Sequence, residues 1–206
     1  MRYLITAKQN LFFSQNGFIE FAGPSFSLFS EIDRVLQKRD GATYNHGRDL
    51  WRDSPLLQNV LVKELKSLLF SLSSSSLRLA LDQWIPKGTS FAEGGPFSKL
   101  FAVQGLVLGV ILAREAHTFL PETSFGLSPF PKEEGGILFV KPHLHIDWPA
   151  LLQETATDLY FAAYSLENSL YIHNPQDPLT HQLKKLGYQF GDRLNNSHHP
   201  FLSPPR

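Results

Sequence analysis

Cysteine is absent from this sequence, so disulfides, thiol nucleophiles and thiolate metal sites are excluded at the outset. That absence fits a reducing compartment, and a cytoplasmic location is the expectation. An excess of charge of either sign is also missing: 19 basic residues balance 19 acidic ones, and no basic run is longer than Lys184-Lys185. Binding along a nucleic-acid backbone needs clustered Lys and Arg, so no nucleic-acid partner is expected. Long hydrophobic runs are lacking too. The most apolar window, Leu106 to Ala113 with its approach from Leu100, is broken by Gln104 and is too short to cross a bilayer. Near the N-terminus, Lys8, Gln9 and Asn10 interrupt the chain before a signal-peptide core could form. Methionine occurs only at Met1, whereas phenylalanine is abundant, and rigid aromatic packing accounts for that bias.

Several catalytic signatures are missing as well. No Gly-x-Ser-x-Gly elbow occurs, which removes the usual α/β-hydrolase nucleophile. Gly94-Gly95-Pro96 lacks the Lys-Ser/Thr of a phosphate-binding loop. Glu93 and Glu133-Glu134 stand in loops and read as solvated charge rather than a glycosidase pair.

What is present is a pattern of helices followed by strands. From Phe26 to Lys38, Leu28, Phe29, Ile32, Val35 and Leu36 recur at helical spacing opposite a charged face. Ser54-Pro55 supplies an N-cap and a first-turn proline for a second helix to about Phe70. Ser71 to Ser76 is a loop. Leu77 to Ile85 alternates with period two and reads as a half-buried strand. Leu100 to Ala113 reads as one strand bent at its glycines, or as two. Arg114 to Glu134 is loop, Ile137–Lys141 and Leu159–Tyr164 are strands, and Asp177-Pro178 starts a short helix through Lys185 closed by Gly187. Leu11-Phe12-Phe13 reads as a short helix end, Ser14 to Gly17 as a turn, Phe18 to Phe21 as a short strand and Ala22 to Pro24 as a second turn. Helices first and strands after suggest an antiparallel β core with helices on one face, in one domain over 1–206: a helical part at 1–70, a β core at 77–165 and a tail at 174–206.

The densest chemistry lies between Gly135 and Pro149, where an apolar run ends in His143-Leu144-His145-Ile146-Asp147-Trp148. On a strand, His145 and Asp147 would face the same side and offer an imidazole beside a carboxylate, two of the three ligands of a facial iron site. The aromatic side chains Trp148, Phe139, Tyr160 and Tyr164 would make an apolar wall there, with His143, His145 and Gln104 as its polar groups. The competing reading is that these rings simply fill the interior.

Phe13-Ser14-Gln15-Asn16-Gly17-Phe18-Ile19-Glu20-Phe21, followed by an acidic amphipathic helix, resembles the opening of the phytanoyl-CoA dioxygenase-like family. The stretch from Asp177 to Leu194 is similar to a tail found in a bacterial branch of that superfamily. Gly136-Ile137-Leu138-Phe139-Val140, ending in His145, is similar to the late core strand that delivers its distal iron-binding histidine. The resemblance implies a double-stranded β-helix, a jelly roll with N-terminal helices packed outside, and an Fe(II)/2-oxoglutarate site. Carried over by position, His145 takes the distal histidine's place. The upstream His-x-Asp is missing, since His117 is the only histidine between Gly47 and Pro142. The arginine expected soon after the distal histidine is missing too, as none lies between Asp147 and Lys184, and Tyr160 and Tyr164 cannot replace its fork.

The expectation is therefore a degenerate oxygenase that binds a small molecule or protein in the old cleft, with no cofactor. The alternative is a working oxygenase with Fe(II), 2-oxoglutarate and a rearranged site of His145, Asp147 and His173, or with His181, His198 or His199 as third ligand.

Overall fold

The computed structural model describes residues 5–23, 28–89, 91, 94–115, 130–131, 135–149, 152 and 157–204. The expected loop over 114–134, including His117, lies almost wholly outside them, as does Glu93. Four helices precede the main strands: α1 (Ala7–Asn16), α2 (Leu28–Lys38), α3 (Pro55–Asn59) and α4 (Lys66–Leu72). A short strand, β1 (Phe18–Phe21), follows α1. Then come β2 (Leu77–Ile85), β3 (Gly95–Pro96), β4 (Val103–Ala113), β5 (Ile137–Val140), β6 (His145–Ile146), β7 (Leu159–Tyr171) and β8 (Phe201–Leu202). Six of these strands form one antiparallel sheet in the order β1-β5-β4-β7-β2-β8, and β3 pairs with β6 in a second, two-stranded sheet. This is a jelly roll with helices packed outside.

Strand periodicity sorts the core into two layers. Leu108, Val110, Leu112, Tyr160, Ala162 and Tyr164 face the helices, where Ile32, Val35, Leu57 and Leu61 cover them. Ile111, Ala113, Leu138, Val140, Phe161 and Ala163 face the interior of the roll, where Phe97, Phe101 and Trp148 meet them. A Cβ on Gly109 would come within 2.8–3.0 Å of Val140, Phe97 and Phe161, so only glycine lets these rings close against β4.

Several boundaries differ from the sequence reading. The helix expected over Ser54–Phe70 does begin with Ser54 capping the Leu57 N–H, but a π-helical stretch at Val60–Glu64 separates α3 from α4. β7 runs on to Tyr171 rather than stopping at Tyr164, because the start of β4 offers it a partner, Val103 opposite Tyr171. The C-terminal helix is a 3-10 turn, Gln182–Leu186, closed by Gly187 in the left-handed region. Asp177 folds the chain into a tight turn before it, accepting from the Leu179 N–H through its side chain and from the Thr180 N–H through its carbonyl.

Two buried titratable groups tie outer segments to β2. Asp82 accepts hydrogen bonds from the Leu50 N–H at 2.7 Å, the Trp51 N–H at 2.9 Å and the Tyr160 hydroxyl. Burial, with the Asp49 charge nearby, pushes its carboxyl up to about 7 against those three bonds. His199 is fully buried, with Nδ1 3.3 Å from the Leu79 carbonyl. Burial and the nearby Arg52 charge hold its imidazole down to about 3.

Opposite pH dependences follow. A raised carboxyl favours the fold fully below about 3.8, and that contribution is lost as pH rises through about 7. Tyr160→Phe removes a donor to the charged carboxylate and is expected to cost about 1–3 kcal/mol. Denaturant unfolding should show a larger loss at pH 8 than at pH 4; equal losses would contradict this placement. A depressed imidazole favours the fold above about 6.5, and its contribution is lost as pH falls towards about 3. His199→Asn keeps a donor for Leu79 and removes the titration. Wild-type stability relative to this variant should fall over that range, and a constant difference would contradict the assignment.

Candidate functional site

The second sheet places the site. Gly95 pairs with Ile146 and Pro96 with His145, which brings the loop before β4 against the end of the His-rich stretch. A cluster of rings is tied to this pair. Trp148 donates its indole N–H to the Gly95 carbonyl at 3.0 Å, and its ring meets Phe161 edge-on at 6.3 Å and Phe91 at 6.0 Å. Phe101 stacks on Phe161 with centroids 5.2 Å apart, and Phe97 packs against the same ring at 5.2 Å. The interior of the roll is thus filled with aromatic side chains.

Beside the β3–β6 pair opens a cavity of about 440 Å³. Phe91, Pro96 and Leu100 give it an apolar wall, and Lys99, His145 and Gln176 supply its polar groups. The Gly94 and Gly95 backbones complete it. A Cβ on Gly94, just before β3, would lie 3.2 Å from His145 Nε2 and 3.0 Å from the Ile146 carbonyl, so a side chain there would press on both.

One turn of the C-terminal tail forms another wall, fixed by the half-buried Asn174 and the buried Asp177. Asn174 donates its side-chain amide to the carbonyls of Lys99 at 2.8 Å and Phe101 at 3.1 Å. Asp177 accepts from the Ala102 N–H at 2.9 Å and takes both terminal nitrogens of Arg48, at 3.1 and 3.3 Å. Arg48 Nε donates to Gln83 at 2.7 Å, and the guanidinium lies 5.0 Å over the Phe101 ring. Burial works against the Arg48 charge, but the adjoining Asp177 carboxylate prevails and raises its pKa above the usual value.

The residues singled out in the sequence are dispersed. His145 lines the cavity and is exposed; Asp147 is exposed two residues further on. His143 is exposed in the turn before β6, and Gln104 is exposed on β4 opposite Leu170. Trp148 is buried in the ring cluster, while Tyr160 and Tyr164 face the helices on the other side of the sheet. His173 sits on the tail, its ring 6.1 Å from His181 and 5.2 Å from Phe190. His199 is bound to β2 and His198 packs on Tyr188 at 5.8 Å. Among the described residues, no three His, Asp or Glu side chains come together as a metal centre requires. The described donor set therefore does not fit an iron centre of the facial type.

Lys99, Phe91, Gln176, Arg48 and Gln83 were not found from the sequence. Asp177 was found only as a helix cap. The one local signal for the Arg48–Asp177 contact was the Asp177-Pro178 turn.

No family model matches the chain, and no curated protein matches it. Solved structures do. The non-haem α-ketoglutarate-dependent carbocyclase SnoK from nogalamycin biosynthesis superposes with a TM-score of 0.67 at 13% identity, over 97% of each chain. The epimerase SnoN, in complex with Fe3+, α-ketoglutarate and nogalamycin RO, gives 0.64 at 14% identity, over 95% of this chain and 98% of its own. CytC3 with Fe(II) and α-ketoglutarate gives 0.58 at 15% identity, over 98% and 89%. SnoN and CytC3 hold iron and α-ketoglutarate on this same fold. That overturns the expectation of no cofactor as a deduction from two missing motif elements, because the fold itself carries iron and α-ketoglutarate in those proteins; it places neither group in this chain. At these identities the likeness is one of fold, and the fold is the jelly roll of the Fe/2-oxoglutarate oxygenases, as the phytanoyl-CoA dioxygenase-like resemblance implied.

Proposed function

We propose that this chain is a small-molecule-binding protein built on the oxygenase jelly roll, and that oxygenase catalysis has been lost from it. The observation that carries the reading is the cavity beside His145. It is of a size used by small-ligand sites (roughly 300–1000 Å³), has an apolar wall with a few polar groups, and is held by tied backbone. Phe97, Phe101, Phe161 and Trp148 occupy the interior of the roll. A pocket whose wall backbone is already tied binds without first having to order it. Balanced charge supports a small molecule over a nucleic acid, and no described helix is long and apolar enough to cross a membrane. The absence of cysteine is in keeping with a cytoplasmic setting.

The test uses protein purified without a histidine tag and a fragment screen by thermal shift. Gly95 lines the cavity and a Cβ there would meet nothing within 4 Å, so Gly95→Phe should occupy the space and leave the fold intact. Fragments that raise the wild-type melting temperature are expected to lose that effect in Gly95→Phe. Hits that persist unchanged would place the binding elsewhere. With Fe(II), oxygen and 2-oxoglutarate supplied, no sustained succinate formation is expected; multiple turnovers would restore the enzyme reading.

A further inference from the structure

Resting on the reading of this cavity as a ligand site, we propose that its ligand is an organic anion. A carboxylate or phosphate group would be held between Lys99 and His145, and a short apolar or aromatic body would lie on Phe91, Pro96 and Leu100. The polar side chains in the described lining are an ammonium, an imidazole and the carboxamide of Gln176, and that lining contains no carboxylate. All three can donate hydrogen bonds, so the set is matched to an acceptor-rich group.

Lys99 is the informative member. The described ion pairs are made by Arg34, Arg39, Arg48, Arg52 and Arg114, and Lys99 takes part in none of them. Other lysines are also without an ion pair, among them Lys38, Lys63 and Lys185, but they do not line this cavity. Lys99 is set apart by its place in a cavity wall whose backbone is pinned. Asn174 holds its carbonyl, and Asp177 holds the Ala102 N–H three residues on. The backbone that carries the ammonium is thus fixed, and an anion would supply the charge-assisted hydrogen bonds that the cavity lining leaves unmade. The antiparallel pairing of Pro96 with His145 sets the imidazole beside the apolar wall, and both residues line the cavity. An aromatic body would meet the half-buried Phe91 ring, itself backed by Trp148 and by Tyr44 at 6.0 Å. Such a site reads one charged end and one flat apolar end, and has little to offer a neutral polar molecule.

Benzoate, phenyl phosphate and benzamide share one ring and differ in the head group, so they separate charge from shape. Their affinities would be measured by NMR titration for wild type, Lys99→Met and Gly95→Phe. Met keeps most of the lysine stem and removes its charge. Benzamide is expected to bind wild type at least about tenfold more weakly than the better anion, and Lys99→Met should weaken that anion by about tenfold or more while leaving benzamide unchanged. Gly95→Phe should abolish binding of all three. Tighter binding of benzoate assigns a carboxylate ligand, tighter binding of phenyl phosphate a phosphate, and equal binding the shared anionic class. If benzamide matches both anions, or Lys99→Met leaves the anions unaffected, the anion proposal is overturned while the cavity remains a ligand site. If none of the three binds and no fragment hit responds to Gly95→Phe, the ligand-site reading itself falls.

Discussion

A single buried ion pair, Arg48 with Asp177, joins segments that are otherwise far apart in the chain. Arg48 comes from the polar stretch between α2 and α3, and Asp177 from the turn that follows β7. Burying both charges is costly, and the pair is sustained because almost every valence is used. The carboxylate accepts two guanidinium contacts and the Ala102 and Leu179 N–H groups; the guanidinium also reaches Gln83 and lies over Phe101. Removing one partner from such a pair leaves the other charge buried and uncompensated, a loss of about 3–5 kcal/mol.

That clasp explains why the cavity has the form it has. Asn174, Gln176 and Asp177 belong to one turn. Two of them hold the backbone at Lys99, Phe101 and Ala102, and the third faces the cavity. Another side is set by the two-residue pairing of β3 with β6 and by Trp148 bound to the Gly95 carbonyl. The interior of the roll is occupied by rings in contact. The protein therefore keeps the outline of a fold that elsewhere holds iron and α-ketoglutarate, and offers at its mouth a rigid, mildly basic, partly apolar recess.

The sheet was largely legible in the sequence because alternating and fully apolar runs both mark strands. Leu77–Ile85 matches in its bounds but not in its burial: it was read as half-buried, yet all nine residues are covered, because Arg78, Asp82 and Gln83 find hydrogen-bond partners in the segments packed over them. The second half of β7 was not legible, since Ser165 to Ser169 is polar and joins the sheet only because β4 lies beside it. Of helix α1 only the end at Leu11 to Phe13 was read; its start was not, although the capping box of Thr6 with Gln9 stands in the sequence, because its apolar residues lack a clear helical stripe. The site was less legible still. His145 was found through its neighbours and through the family resemblance. Lys99 and Gln176 have no local signature, and a contact spanning 129 residues, as Arg48 makes with Asp177, leaves no periodicity to read. Tyr160 and Tyr164 illustrate a different limit: a fully apolar strand does not say which face meets the helices and which the interior.

The central claim is that the Arg48–Asp177 clasp holds the wall of the cavity while the sheet stands without it. Residue-resolved amide hydrogen exchange of Arg48→Met under native conditions tests this most directly. Loss of protection is predicted at Ala102 and Leu179, whose N–H groups both donate to Asp177, with the amides of the β4–β7 ladder from Leu108 to Leu112 still protected. Unchanged protection at Ala102 and Leu179, or loss spread equally through β4 and β7, would contradict it.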